Sequence, residues 1–171
     1  LVESCHSRSI FRTLRIPEGE NQIEIVAQRG QKTTRKIINP VGAGEVFLVA
    51  GQSNAANSGT VRQRAKDPRV RCMKKNLTSW RIAHDPQPLA TNTKGSIWPV
   101  FGDTLLEELN KPIGIVSAAV GGSSVKEWQD GRKNYAKLQE IIEQVNLNGG
   151  ARAVLWHQGE TDSRDGMDKK T

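Results

Sequence analysis

A run of five apolar residues, Val46-Phe47-Leu48-Val49-Ala50, breaks off into Gly51-Gln52-Ser53-Asn54, and no other feature narrows the fold of this chain as much. An apolar run with no polar alternation, ended by small and polar residues, reads as a strand buried on both faces, the central strand of a parallel sheet. Sheets of that kind collect ligands just beyond the carboxyl ends of their strands, so Ser53 stands where a nucleophile would. Taken alone, the segment also reads as an ordinary strand-to-loop turn with the serine capping a helix.

Two later segments have the same form. Ile113-Gly114-Ile115-Val116-Ser117-Ala118-Ala119-Val120 runs into Gly121-Gly122-Ser123-Ser124, and Ala153-Val154-Leu155-Trp156 runs into His157-Gln158-Gly159-Glu160-Thr161-Asp162. Three strand ends with this much polar chemistry suggest one site on one sheet edge. Between them, Val100, Phe101, Leu105, Leu106 and Leu109 predict a helix stopped by Asn110-Lys111-Pro112, and Tyr135, Leu138, Ile141, Ile142 and Val145 predict a second, ended by Asn146 to Gly150. Strand, helix, strand, helix, strand is the rhythm of a parallel α/β sheet. Arg69 to Lys74 reads as a short strand. Asn76 to Trp98 contains Asp85-Pro86-Gln87-Pro88 and Asn92-Thr93-Lys94-Gly95, so it reads as a mostly irregular excursion, expected to wall a cleft with Trp80, His84 and Trp98.

Residues 1–41 read differently. Ser9 to Ile16, Gln22 to Ala27 and Thr33 to Ile38 have strand character and are separated by turn chemistry at Pro17 to Asn21 and Gln28 to Gln31, which predicts an antiparallel β module too small to stand alone.

In this order, Gly51-Gln52-Ser53-Asn54, the Gly121-Gly122 turn with Trp128 after it, and Trp156-His157-Gln158-Gly159-Glu160 resemble the sialate O-acetylesterase and acetylxylan esterase branch of the SGNH hydrolases, over roughly residues 42 to 168. The resemblance implies an α/β fold of SGNH (flavodoxin-like) type, three layers about a central parallel sheet, with residues 42–171 as the N-terminal portion of the hydrolase domain. Residues 1–41 would then end an accessory, immunoglobulin-like β domain. The implied activity is serine-dependent hydrolysis of acetyl esters on sugars, sialate or xylan, through an acetyl-enzyme, in a secreted or periplasmic protein. A non-catalytic carbohydrate-binding relative is the alternative. In this family the catalytic histidine lies downstream in an Asp-x-x-His motif, and the 171 residues contain no such motif. The chain is therefore expected to be a fragment, and a weak esterase by itself.

An ester carbonyl is attacked well only by an alkoxide-like oxygen, so the serine needs a base in reach and donors for the developing oxyanion. By resemblance Ser53 is the nucleophile, and the oxyanion hole is the Ser53 backbone N–H, that of Gly122 with Gly121 as competitor, and the Gln158 amide. Gln52 and Asn54 are possible supports, with Asn57 as a further brace of the serine loop. Adjacent residues leaving a strand point to opposite sides, so His157 is expected to face away from the site, held under the loop, if Gln158 faces in; contact with substrate or base is the other reading. Glu160 or Asp162 either orients the missing histidine or braces the loop through backbone N–H groups. Trp128 either stacks on a sugar face or packs under the glycine turn.

No ligand set has metal spacing and no glycine pattern is that of a nucleotide loop, so neither metal nor cofactor is expected. Cys5 and Cys72 imply no disulfide framework, and His6 and His84 read as surface residues. The net charge of +7 raises the question of nucleic acid, but the basic stretches Lys32 to Lys36 and Arg62 to Lys75 lack aromatic interleaving or a recognition-helix pattern, and a solvated basic face is the better account. No stretch approaches the roughly 20 apolar residues of a membrane-spanning helix. An acetylated carbohydrate is the expected partner, with neither nucleic acid nor membrane, and oligomeric state is not legible.

Overall fold

A computed structural model describes residues 13–147 and 149–166. The chain divides between Ala43 and Gly44 into two compact units.

The described part of the first unit is an antiparallel hairpin of β1 (Gly19–Arg29) and β2 (Lys32–Ala43). Its two-residue turn opens on Gly30 at φ +59, a conformation that favours glycine. The second and third expected strands are thus present and longer than the sequence suggested. The first differs: residues 9–12 lie outside the described residues, and Thr13 to Ile16 form no strand. Pro17 follows directly, and the Asn21 amide donates to the Pro17 carbonyl at 2.9 Å, bending this stretch into the hairpin's lead-in.

The second unit is a mixed α/β structure built on a five-stranded sheet of order β5-β4-β6-β3-β7. Its strands are β3 (Glu45–Gly51), β4 (Val70–Met73), β5 (Trp80–Ile82), β6 (Ile113–Ser117) and β7 (Ala153–His157). All pairings are parallel except that of β5 with β4. Flanked by β6 and β7, β3 is buried from Phe47 to Gly51, which is why its sequence is apolar without alternation.

Helices cover both faces. On one, α1 (Trp98–Leu109) sets Trp98 and Leu106 into a core with Phe47, Val49, Val70, Ile113 and Ile115. On the other, α2 (Lys133–Leu147) sets Ile141 and Val145 against Leu48, Met73 and Val116. Helix α1 starts two residues before the expected Val100 because Pro99 suits a first turn, and it stops at Asn110, whose φ of +50 is left-handed. A five-residue helix, α3 (Glu160–Arg164), follows β7. No helix among the described residues is long and apolar enough to cross a membrane.

The irregular excursion from Asn76 to Trp98 does not put its tryptophans in a cleft. Trp98 is buried in the α1 core, its indole N–H donating to the Ala55 carbonyl at 2.7 Å, and Trp80 packs against the α2 core. Both are large enough to find more stabilisation inside than at a rim. His84 is half-buried, with Nδ1 3.3 Å from the Asp85 carbonyl.

Candidate functional site

Parallel pairing brings the carboxyl ends of β6, β3 and β7 to one edge, and the polar segments after them meet there. Gly51 closes β3 at φ +117 so near β7 that a Cβ would lie 2.0 Å from the His157 carbonyl oxygen. The Gln52 N–H then donates to that same carbonyl at 2.9 Å, stapling the serine loop to β7 at its root.

Ser53 is next, half-buried in a tight turn where the N–H groups of Ala55 and Ala56 both reach the Gln52 carbonyl at 3.0 Å. Its own backbone N–H has no partner among the described residues. Asn57, fully buried, clasps the turn to the excursion: Nδ2 donates to the Gln87 and Thr91 carbonyls at 3.0 and 3.1 Å, and Oδ1 accepts from the Gln87 N–H at 2.6 Å. The excursion is therefore a buttress behind the serine loop.

The two glycines after β6 are not equivalent. The Gly121 N–H is taken by the Thr91 hydroxyl at 2.6 Å, whereas the Gly122 N–H has no partner among the described residues, and Gly122 is exposed at φ +76. Beneath them Trp128 is buried, its indole N–H on the Ser123 hydroxyl at 2.9 Å and its ring edge-to-face with Trp156 at 5.2 Å. Its place is under the turn, out of reach of a sugar face.

After β7, Gln158 is the cross-tie of the site. Nε2 lies 2.7 Å from the Ser123 carbonyl, 2.8 Å from Asp162 Oδ2 and 3.1 Å from Gln52 Oε1. Two N–H groups thus face three acceptors, while Oε1 is buried with no partner among the described residues. Asp162 also accepts the Val125 N–H at 2.9 and 3.2 Å, tying the turn after β6 to the loop after β7. Of the two roles the sequence left open for the acidic pair, bracing through a backbone N–H is what Asp162 does.

Glu160 is exposed and points the other way, accepting from the Asn54 amide and lying 3.3 Å from His157 Nε2. The expectation that His157 is held under the loop is wrong: its side chain is 57% exposed and pairs with Glu160. Gly159, at φ +139, turns the chain, and Glu160 meets the exposed ring there. His157, Gln158, Gly159 and Glu160, with Ser163 and Arg164, line a shallow open depression.

Sequence reasoning missed Thr91, Ser123 and Thr161. Only Ser123 had a signal, its place directly after the glycine pair; the others act through one hydroxyl or one N–H. Among the described residues no three His, Cys, Asp or Glu side chains gather as a metal would require. Cys72 is buried and free, and Cys5 lies outside the described residues.

A family model described as carbohydrate esterase, sialic acid-specific acetylesterase, matches residues 43–171. A probable carbohydrate esterase of Arabidopsis thaliana is 29% identical over 155 residues, 76% of this chain and 59% of that protein. The crystal structure of an Arabidopsis thaliana protein of the same locus matches with a TM-score of 0.61 at 25% identity, over 70% of this chain and 58% of that one. A carbohydrate acetylesterase of Xanthomonas citri matches at 22% identity with a TM-score of 0.47, over 82% of this chain and 38% of that one. The chain thus spans 59% of the length of its curated Arabidopsis relative.

Proposed function

The chain belongs to the carbohydrate esterase family of sialic acid-specific acetylesterases, and from that premise we propose that it carries the nucleophilic half of a serine O-acetylesterase acting on acetylated sugars. The observation that carries this reading is the setting of Ser53. It stands beyond the end of the central strand, half-buried, with its own N–H and that of Gly122 both without partners in the described residues. Unpaired backbone donors at strand ends suit an oxyanion hole, since they need no reorganisation when charge develops.

In the proposed reaction the Ser53 hydroxyl loses its proton to a base as Oγ bonds to the acetyl carbon. The Ser53 and Gly122 N–H groups hold the oxyanion. The C–O bond to the sugar breaks, the sugar oxygen takes the proton, and water later releases acetate from the acetyl-serine by the same route. Gln158, the third donor implied by the SGNH resemblance, serves by exchanging one of its three present acceptors. The resemblance gives the base to the histidine of an Asp-x-x-His segment, which these 171 residues do not contain. Glu160, exposed beside the serine loop and held by Asn54, is suited to orient such a base.

In the full-length protein, Ser53→Ala should abolish acetate release from an acetylated sugar while leaving the thermal transition unchanged. Survival of most of the activity would overturn the assignment of Ser53. Comparing acetylated sialic acid with acetylated xylan as substrates tests which sugar the loops accept.

A further inference from the structure

Gln52 is only 2% exposed, and its side chain is anchored by one end. Oε1 accepts from the Thr161 backbone N–H at 2.9 Å and from Gln158 Nε2 at 3.1 Å. A backbone N–H can only donate, so the Thr161 bond identifies the oxygen end of the amide and puts Nε2 at the other. That nitrogen lies 3.5 Å from Ser53 Oγ and has no other partner among the described residues. Two amide N–H groups are thus kept in the interior with the serine oxygen as their one neighbouring acceptor, where a fold ordinarily pairs such donors fully.

We propose, resting on the reading of Ser53 as nucleophile, that Gln52 is a catalytic residue whose amide donates to Ser53 Oγ. The donation fixes the hydroxyl as an acceptor on its Gln52 side, so its proton points away from Gln52, toward the base. Gln52 keeps both its protons throughout. As Oγ sheds its proton and negative charge grows on it, the bond shortens from its present length and strengthens, as catalytic hydrogen bonds do between the free enzyme and the reacting complex. The anchoring of Oε1 at two points prevents the amide from rotating away. Gln158 and Thr161 then act on the serine through Gln52, which gives the loop after β7 a part in activating a residue on the loop after β3.

The test separates the two ends of the amide in the full-length protein. Gln52→Glu keeps the oxygen that Thr161 and Gln158 hold and removes the donor facing Ser53. It should remain folded by circular dichroism, lose roughly a hundredfold in kcat with KM unchanged, and react correspondingly slowly with a fluorophosphonate, which reads the serine without a sugar. Its activity relative to the natural enzyme should recover as pH falls and the new carboxyl, once protonated, becomes a donor again. A folded Gln52→Glu protein that is phosphonylated at the natural rate would show that Gln52 only anchors Thr161, and would overturn the proposal. Should that variant not fold, the natural protein labelled with 15N-glutamine decides: phosphonylation of Ser53 should shift the Gln52 side-chain amide protons, and unshifted resonances overturn the proposal. Ser53→Ala assayed alongside distinguishes the failures, since an active Ser53→Ala protein sinks the serine reading itself, whereas an inactive one beside an unimpaired Gln52→Glu sinks this inference alone.

Discussion

Asn57 uses both ends of one amide against the loop that faces it, and its isolation from water makes those bonds hard to replace. Asn57→Ala would leave the Gln87 N–H without its partner in the interior, so a loss of about 2–4 kcal/mol is expected in urea unfolding, with activity falling further than stability as the serine turn loosens. Gln158 differs in that its partners lie in the site itself. Gln158→Ala should lower kcat by roughly a hundredfold to a thousandfold with little change in KM, as removal of a transition-state donor does; a rise in KM alone would mean that the amide only binds substrate. At this scale the sequence told where polar groups gather and not how they pair. Gln52, Ser53, Asn54, Gly121, Gly122, His157, Gln158, Glu160 and Asp162 are all brought to one edge because strand ends are legible. The division of labour between Gly121 and Gly122 hangs on one Thr91 hydroxyl in an irregular segment, and the pairing of His157 with Glu160 on the turn at Gly159, neither of which has a sequence pattern.

Helix α1 shows how an apolar stripe can mislead by one face. Val100 and Leu109 fit the helical spacing yet are exposed, while Gly102 and Asp103 are buried. Asp103 is inside because its carboxylate accepts the Lys66 and Asp67 N–H groups, and Gly102 because the helix rides close on the sheet: a Cβ there would stand 2.3 Å from Val70 Cγ1. Gly102→Ala should therefore lower the melting temperature, since about 1–3 kcal/mol of overpacking exceeds the roughly 1 kcal/mol that alanine gains in helix propensity. On α2, Lys137 donates to the Leu89 carbonyl at 2.7 Å, and burial, with Lys133 adding to it, holds its pKa below the ordinary 10.5. Between the depressed and ordinary values the unfolded chain binds more protons than the folded one, so this group's contribution to stability rises with pH across that window. The stability of the natural chain minus that of Lys137→Met should accordingly grow as pH rises through the depressed value toward the ordinary one; a flat difference would show that burial leaves the lysine unperturbed. Existence and order of elements were legible because the period of the apolar residues reports them, whereas the rotation of a helix depends on which polar groups find partners underneath.

For the molecule as a whole, the two units bury very different shares of their residues. Most positions of β1 and β2 are exposed and none is fully buried, and two strands alone are marginal in water, whereas β3 lies between two neighbours and under two helices. Amide exchange should be slowest in β3 and β6 and faster by orders of magnitude in β1 and β2; equal protection would mean that the hairpin is held as firmly as the sheet. A parallel sheet was readable from three apolar runs, but its order was not, because β4 and β5 are too short and too polar to declare which neighbour they join. The closeness of Gly51 to β7 has a consequence for anyone reading variation in this protein. If every codon were sampled at position 51 and the survivors sequenced after selection for folded protein, that column should return a single letter, since even a methyl group there would have to occupy the space of a carbonyl oxygen. Position 54, one turn away in the open, should return many under the same selection and few under selection for acetate release. The ratio of those two diversities, taken column by column along the strand ends, would draw the border between what the chain needs to exist and what it needs to react.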